Sequence, residues 1–450
     1  MHIAAMPLSR SAIEIVGIAL AYFLLGISGQ LFSISPGNVT PVWPPSGFAL
    51  AIVFLLGKRG WLGIFLGALI VNVYAFFESS TQDTITTSIA TGISIGIGSL
   101  IQPLLGAALI RRFIASENLI FESARKFLAF LAIIPVMCLV SATIGSTSLF
   151  IGGFILMDDV AELWLTWWLG DGIGVLIVTP LLLAWLGPKN TTLNKANTLN
   201  LMLAYTLLII TVYVGFGVPF VGGDDHLPLE FLVWPALLLL AMIFNAQVVT
   251  VGILIVASVA AWQTAHGLGP FHLSSTNHSL LMLQLFVGVT ASTMMIVFGL
   301  VTETRKSHQL ELDNKKLKLS SRVFSDTNEG IIITDANKVI IDVNPAFSGI
   351  TGYSREEVIG QNPSILGSGK QSPEFYVEMW QQINESGHWQ GEIWNRRKSG
   401  EVYAELLTIS SLKNDKGNIT NYVGVFTDIT HSKLQQDDIK KMAHYDALTN

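Results

Sequence analysis

The chain is short of charge and of thiols. Only 13% of its 450 residues are Asp, Glu, Lys or Arg, and 51% are hydrophobic; soluble domains carry about 25% charged residues. That deficit excludes a wholly water-exposed globule and assigns much of the chain to lipid. One cysteine, Cys138, excludes an intrachain disulfide, and its apolar surroundings favour a packed thiol over a reactive one. Basic residues are outnumbered, with 26 Lys+Arg against 32 Asp+Glu and a net charge of −6. Nothing electrostatic therefore points to nucleic acid as a partner.

What charge there is sits towards one end. Residues 1–302 hold 9 Lys+Arg and 12 Asp+Glu, leaving 17 and 20 to the last 148. The break near Glu303 divides a membrane part, 1–302, from a polar part. Apolar segments long enough for a bilayer can be drawn at 12–32, 42–57, 60–77, 85–110, 127–151, 161–186, 199–220, 229–245, 247–265 and 279–302. The stretches 42–77 and 229–265 are each too long for one helix and are split into hairpins at Lys58-Arg59 and at Asn245-Ala246-Gln247. Ten spans is the expectation, with eight if the second split fails. The first segment is read as a retained span, because Ser33-Ile34-Ser35-Pro36 makes a poor cleavage site for a signal peptide.

Loop charge gives the orientation. With a cytoplasmic N-terminus, the inner side collects Arg10, Lys58, Arg59, Arg111, Arg112, Arg125, Lys126, Lys189 and Lys195. The outer loops carry Glu78, Asp83, Asp158, Asp159, Asp224, Asp225 and Glu230, without a Lys or Arg. The positive-inside rule then sets both termini of a multi-pass protein in the cytoplasm.

Two stretches break the apolar pattern. Trp167-Trp168-Leu169-Gly170-Asp171-Gly172-Ile173-Gly174 carries a carboxylate inside the sixth segment, which Pro180 closes. A carboxylate there costs roughly 2.5–3.5 kcal/mol on insertion scales. It is either a ligand or ion contact facing the bundle interior or a helix-packing hydrogen bond. Pro41-Val42-Trp43-Pro44-Pro45-Ser46-Gly47 forbids regular helix across its adjacent prolines. It reads as a pocket-lining element or as a rigid helix start.

Trp43-Pro44-Pro45 with Gly47, then Trp168-Leu169-Gly170-Asp171 and Pro180, together with Glu230-Phe231-Leu232-Val233-Trp234-Pro235, resemble the membrane-associated sensor domain of the first type, over roughly residues 11–302. The resemblance implies a bacterial sensor, usually with eight spans, ahead of GGDEF, EAL or histidine-kinase outputs. It makes Trp43, Pro44, Pro45, Gly47, Trp168, Gly170, Asp171 and Pro180 candidates for sensing an unidentified small-molecule or ionic signal.

Beyond the last span, 303–321 keeps a helical rhythm, with Leu310, Leu317 and Phe324 seven apart and Leu312 and Leu319 likewise. That is a signalling helix of a homodimer or a solvated connector. Residues 322–430 read as an α+β domain, with strands at 330–335, 339–343, 389–397, 401–412 and 420–428 and an amphipathic helix at 373–385. The segment, ending in Asp428-Ile429-Thr430, resembles a PAS domain with its C-terminal cap. A five-stranded antiparallel sheet is implied, with dimerisation and coupling through Asp428, Ile429 and Thr430.

Trp380, Trp389, Ile393 and Asn395, ahead of Arg396-Arg397-Lys398, follow a pattern similar to flavin-binding PAS domains of redox sensors. Trp389, Ile393 and Asn395 alternate onto one strand face, as a stacking wall and a hydrogen-bonding amide would require. FAD, an unidentified ligand or none, and haem all stand as readings, although His388, the only histidine of the domain, is a poor axial ligand. With no cysteine in the domain, cysteinyl-flavin photochemistry is excluded.

A linker helix over 431–443 leads to Ala443-His444-Tyr445-Asp446-Ala447-Leu448-Thr449-Asn450, which looks like the opening of a GGDEF diguanylate cyclase domain. GTP and Mg would belong to the part of that domain beyond these residues, so no catalytic and no metal-binding residue is assigned here. Rival readings are a histidine-kinase sensor with His444 as phospho-acceptor, and a transporter with a regulatory PAS domain. The expected function is a membrane receptor that relays a signal through its PAS domain to cyclic-di-GMP turnover.

Overall fold

The computed structural model describes residues 8–32, 40–114, 123–187, 198–217, 229–273, 275–414 and 416–446. The chain separates into two compact units, Met1–Ser307 and His308–Asn450.

Ten α-helices start in the first unit among the described residues: α1 (Leu8–Gln30), α2 (Pro44–Leu56), α3 (Trp61–Phe76), α4 (Gln82–Phe113), α5 (Ala124–Ile151), α6 (Val160–Leu186), α7 (Thr198–Val212), α8 (Val233–Ile243), α9 (Ala246–Ala265) and α10 (Thr276–Asp326). Seven are long and apolar enough to cross a membrane, while α2, α3 and the Leu229–Ile243 stretch are shorter. Both hairpin breaks fall where charge and amide residues interrupt the apolar run. A 3₁₀ turn, Gly57–Gly60, carries Lys58-Arg59 between α2 and α3, and its entry uses Gly57 at φ 64°, a conformation that favours glycine. Asn245 caps α9, its Oδ1 accepting from the Val248 amide at 3.2 Å.

Burial in this unit follows helix faces rather than polarity. On α1, Ile13, Val16, Leu20 and Leu24 recur every three or four residues and are exposed, while Ile18 and Tyr22 are buried. An exposed apolar stripe on such a helix faces lipid. Against the buried side lies α3, where a Cβ added at Gly67 would meet Tyr22 Cβ at 2.6 Å. Small residues set these approach distances, as expected where lipid supplies no hydrophobic drive for helix association.

In the second unit, β1 (Gly330–Asp335), β2 (Ile340–Val343), β3 (His388–Arg396), β4 (Val402–Lys413) and β5 (Ile419–Asp428) form one sheet in the order β2-β1-β5-β4-β3. Every pairing is antiparallel. Four helices accompany it: α11 (Pro345–Thr351), α12 (Arg355–Val358), α13 (Pro373–Ser386) and α14 (Thr430–Asp446). Asn344 ties the sheet to α11, its Oδ1 accepting from the amides of Ile331 and Phe347 at 2.8 Å each. One apolar cluster joins Ile332, Val343, Phe347 and Phe426; a second joins Met379, Ile383, Trp389 and Tyr422 beneath α13.

The five strands and α13 agree with the sequence reading to within a residue or two, and residues 303–321 continue the last apolar helix within α10. The acidic pair Asp224-Asp225, the cleavage-site test at 33–36, Lys189, Lys195 and the cyclase-like Ala447-Leu448-Thr449-Asn450 lie outside the described residues.

Candidate functional site

The two sequence landmarks of the membrane unit, 125 positions apart, meet. Pro44 and Pro45 occupy the first turn of α2, where a missing N–H leaves no helix bond unmade. The preceding segment runs extended against α6: the Trp43 amide donates to the Gly170 carbonyl at 3.0 Å, and Ser46 Oγ donates to Asp171 Oδ1 at 2.7 Å. Two turns further along α6, Thr179 Oγ1 donates to the Gly47 carbonyl at 2.9 Å. From α10, Gln284 Nε2 reaches the Pro41 carbonyl at 3.1 Å.

Glycines allow this closeness. A Cβ on Gly47 would strike the Gly174 carbonyl oxygen and come within 2.8 Å of Val178 Cβ, and one on Gly174 would stand 2.6 Å from the Trp43 carbonyl carbon. Asp171 is 0% exposed. Ser141, Gln102 and Trp167 stand round its carboxyl group, yet Oδ2 makes no hydrogen bond of good geometry among the described residues. A buried acceptor left in that state is an uncommon expense of stability. Pro180 is buried in α6. Trp168 turns elsewhere, donating from Nε1 to the Pro135 carbonyl at 2.9 Å and stacking on Trp164.

The PAS unit holds a cavity of about 590 Å³ between the sheet and α13, within the range of small-molecule sites. Trp380, Ile393 and Asn395 line it, along with Tyr422 and Glu405. Trp389 is buried on the same face of β3 but lies outside the lining, packed edge-on against Phe375 at 5.9 Å between ring centres. The wall near α13 is Trp380, in edge contact with Tyr422 at 5.3 Å and covered by Lys338 Nζ 3.8 Å from its ring centre.

Glu405 is the buried, cavity-lining carboxylate that the sequence reading missed. It is 1% exposed; Oε1 accepts from Asn395 Nδ2 and Oε2 from the Tyr403 hydroxyl, both at 2.8 Å. Burial pushes its carboxyl up to about 7, the Tyr403 and Asn395 hydrogen bonds pulling the other way. The signal was available: Tyr403, Glu405, Leu407 and Ile409 share one face of β4 by alternation, so a charge interrupts an apolar row.

Asp428, Ile429 and Thr430, expected from the sequence to couple the domain to the next helix, sit where β5 ends. Asp428 Oδ1 accepts from Thr430 Oγ1 at 2.6 Å and the Thr430 amide at 2.9 Å. Asp428 Oδ2 pairs with Arg397 at 2.5 Å. Ile429 donates to the Ala404 carbonyl at 2.9 Å, and Thr430 Oγ1 accepts from the Ala404 amide at 3.0 Å. The start of α14 is thereby fastened to β4, the strand that carries Glu405.

Comparison with known proteins assigns both units. The MASE1 family matches residues 15–305, well over half of the chain. The chain belongs to the MASE1 family. A PAS domain matches residues 328–431, so this member is a multi-pass membrane sensory receptor with a PAS domain. Among curated relatives, a nitrogen fixation regulatory protein of Klebsiella oxytoca is 36% identical over 121 residues, 27% of this chain and 24% of that protein. A blue-light photoreceptor of Listeria innocua is 34% identical over 129 residues, 28% of this chain and 51% of that protein. A blue-light-activated histidine kinase of Rhizobium johnstonii is 32% identical over 116 residues, 25% of this chain and 34% of that protein. The chain thus spans between a quarter and a half of these relatives. Of solved structures, the PAS domain of a Colwellia psychrerythraea protein is 26% identical with a TM-score of 0.25, covering 26% of this chain and 98% of that one.

Proposed function

We propose that this MASE1 receptor takes one signal in the bundle at the Asp171–Ser46 junction and a second in the PAS cavity, and relays both to cyclic-di-GMP turnover. The observation that carries the reading is the fastening of Asp428-Ile429-Thr430 to the cavity strand β4, because it links an internal site to the helix that leaves the domain. Cyclase output is supported by Asp446-Ala447-Leu448-Thr449, which resembles the entry of a GGDEF domain. The inner membrane of a bacterium with both termini cytoplasmic is supported by the one-sided Lys and Arg loops.

A homodimer is part of this reading. Leu310 and Leu317 of α10, one heptad apart on the same helix face, are exposed in the single chain, as a second copy of the helix would cover. In the PAS cavity the ligand supported best is a flavin such as FAD. Asn395 offers an amide, Trp380 and Tyr422 offer aromatic walls, and photoreceptors stand among the relatives. Extraction of the purified full chain with acid, followed by an absorption spectrum, tests it; a colourless extract from a folded protein sinks the flavin reading.

The test of the receptor reading joins this chain through α14 to a reporter diguanylate cyclase and follows cellular cyclic-di-GMP over a panel of growth conditions. The wild-type fusion is expected to respond, and Asp171→Asn to insert normally in the membrane with a flattened response. A full response in Asp171→Asn would remove that residue from sensing. Cyclic-di-GMP levels indifferent to the attached chain under every condition would remove the cyclase reading.

A further inference from the structure

One guanidinium, Arg397, pairs with Asp428 and Glu401 and stands one tyrosine ring away from Glu405 in the PAS cavity. Glu405 and Asp428 are register partners across β4 and β5, so their side chains share one sheet face. Arg397 pairs directly with Asp428 at 2.5 Å. It reaches Glu405 only through Tyr403: the guanidinium carbon lies 4.4 Å from the centre of the Tyr403 ring, and the hydroxyl of that ring donates to Glu405 Oε2. Asp428 is therefore neutralised by contact and Glu405 is not. Beyond Asp428 stands Thr430, which holds the first turn of α14 to Ala404. An unbroken chain of contacts runs from Asn395 in the cavity through Glu405, Tyr403, Arg397 and Asp428 to α14.

We propose that Glu405 is a proton-linked switch between the cavity and α14, held ionised by a ligand that presents an N–H group or a positive charge to it and protonated when the cavity is empty. An ionised Glu405 competes with Asp428 for Arg397 and loosens the Asp428–Thr430 seat; a protonated one leaves Arg397 to Asp428 and tightens it. The ligand class follows from the lining. Asn395 uses Nδ2 on Glu405, and its Oδ1 accepts no hydrogen bond among the described residues, so a planar nitrogen heterocycle with a donor at its edge fits beside Trp380. A carboxylate or phosphate at that edge would face Glu405 and be repelled. This deepens the reading of the cavity as a sensory site and rests on it.

The groups facing Glu405 leave it alone in changing charge near neutrality. From the end of β3 and the turn after it come neutral Asn395 and the permanently charged Arg397. On β4 itself, burial pushes the Tyr403 phenol upward, with Glu405 adding to the shift. From β5, burial would raise Asp428, but the bonds from Arg397 and Thr430 outweigh it and hold the carboxyl below its ordinary range. From α13, burial and then the Glu405 charge push the Tyr376 phenol upward. Both phenols therefore stay neutral and Asp428 stays ionised while Glu405 titrates.

Hydrogen exchange on the full chain in lipid nanodiscs tests the switch without needing a ligand. Protection factors of the 428–433 amides, corrected for intrinsic rates, are compared at about pH 6 and about pH 8. Wild type is expected to lose protection several-fold at the higher pH. Glu405→Gln should hold the acidic value at both, and Glu405→Asp should restore the dependence. Should Glu405→Gln fail to fold, Tyr403→Phe serves instead: it removes the link alone and should shrink the difference. A full pH difference surviving in a folded Glu405→Gln, or in Tyr403→Phe, overturns the proposal. The flavin spectrum of the same preparation is read separately, so an absent flavin and an absent switch cannot be confused.

Discussion

Two buried carboxylates invite comparison, Asp171 of the membrane unit and Glu405 of the PAS unit. Both are sealed from solvent, yet their surroundings differ in kind. Asp171 is met by one well-formed hydrogen bond, from Ser46 on another helix, and keeps an unpartnered oxygen. Glu405 has both oxygens bonded and an arginine one ring away. Helices packed in lipid bury their own backbone bonds and meet through small residues, so a side-chain carboxylate finds partners only where two backbones come close. A sheet face sets neighbouring side chains about 5 Å apart along every rung and builds networks readily. The bundle therefore meets its carboxyl group where two backbones approach, and the PAS sheet meets its own by side-chain bonding.

The largest effect should come from breaking that proximity. In Gly174→Val the new Cβ falls 2.6 Å from the Trp43 carbonyl carbon, a backbone atom that cannot turn aside. The first turn of α2 would have to leave α6, taking Ser46 from Asp171. Overpacking of a close backbone contact costs typically 1–3 kcal/mol and more where nothing can repack; here we expect more than about 3 kcal/mol and loss of the monodisperse folded species in detergent. Gly172→Ala is the control, since its Cβ would meet only Ile134 Cγ2, at an ordinary 3.5 Å. Equal thermal stability of the two variants would show that glycine closeness is not what joins the motifs.

Legibility followed the same division. Asp171 was conspicuous because a single charge in an apolar run has no bland composition to hide in, and Trp43-Pro44-Pro45 stood out because adjacent prolines cannot lie inside a helix. Their meeting was not legible: it depends on which glycine faces which carbonyl, and helix rotation is set by packing rather than by periodicity. In the PAS unit the strands were readable from alternation and the helix 373–385 from its apolar side. Glu405 was overlooked because its strand, 401–412, is rich in polar residues, and only the face assignment makes its carboxylate an intruder. Trp389 shows the converse error. It shares the buried face with Ile393 and Asn395, but a cavity occupies only part of a face, and Phe375 of α13 covers the rest.

A second, smaller effect sharpens the comparison from the PAS side. Glu405 has its folded value raised from the ordinary 4.5 to about 7, so the folded state binds a proton that the unfolded state has already released. Stability from this group is complete below about pH 4.5 and is lost as pH rises through about 7. The shift corresponds to a penalty of up to about 3 kcal/mol at higher pH. Glu405→Gln should therefore stabilise the PAS transition at about pH 8 relative to wild type, and do little at about pH 5. Urea melts of the full chain, followed by PAS-specific exchange or proteolysis, measure it. A variant less stable than wild type at both pH values would mean that the bonds from Asn395 and Tyr403 outweigh the cost of burying the charge.

The smallest effect reverses the sign of the second within the same cluster. Arg397 and Thr430 hold Asp428 below its ordinary range, so its contribution is present above the unfolded value of about 3.9 and disappears as pH falls through the folded one. Asp428→Asn removes the charge from a pair that is partly exposed, with 19% and 28% of the two side chains accessible, and solvent screening limits the loss to about 1 kcal/mol at neutral pH. That loss should shrink as the pH falls below the ordinary value and through the lowered folded one, where wild type too takes up a proton. The two carboxylates then bracket the PAS unit, Asp428 weakening it in acid and Glu405 weakening it in base, with greatest stability in the mildly acidic window between. Arg397 is what divides them: in a background of Arg397→Met, Asp428 should drift up towards its ordinary value, and the pH profile of Asp428→Asn against its parent should flatten. A profile unchanged in that background would assign the lowered Asp428 to Thr430 alone and take Arg397 out of the chain between cavity and helix.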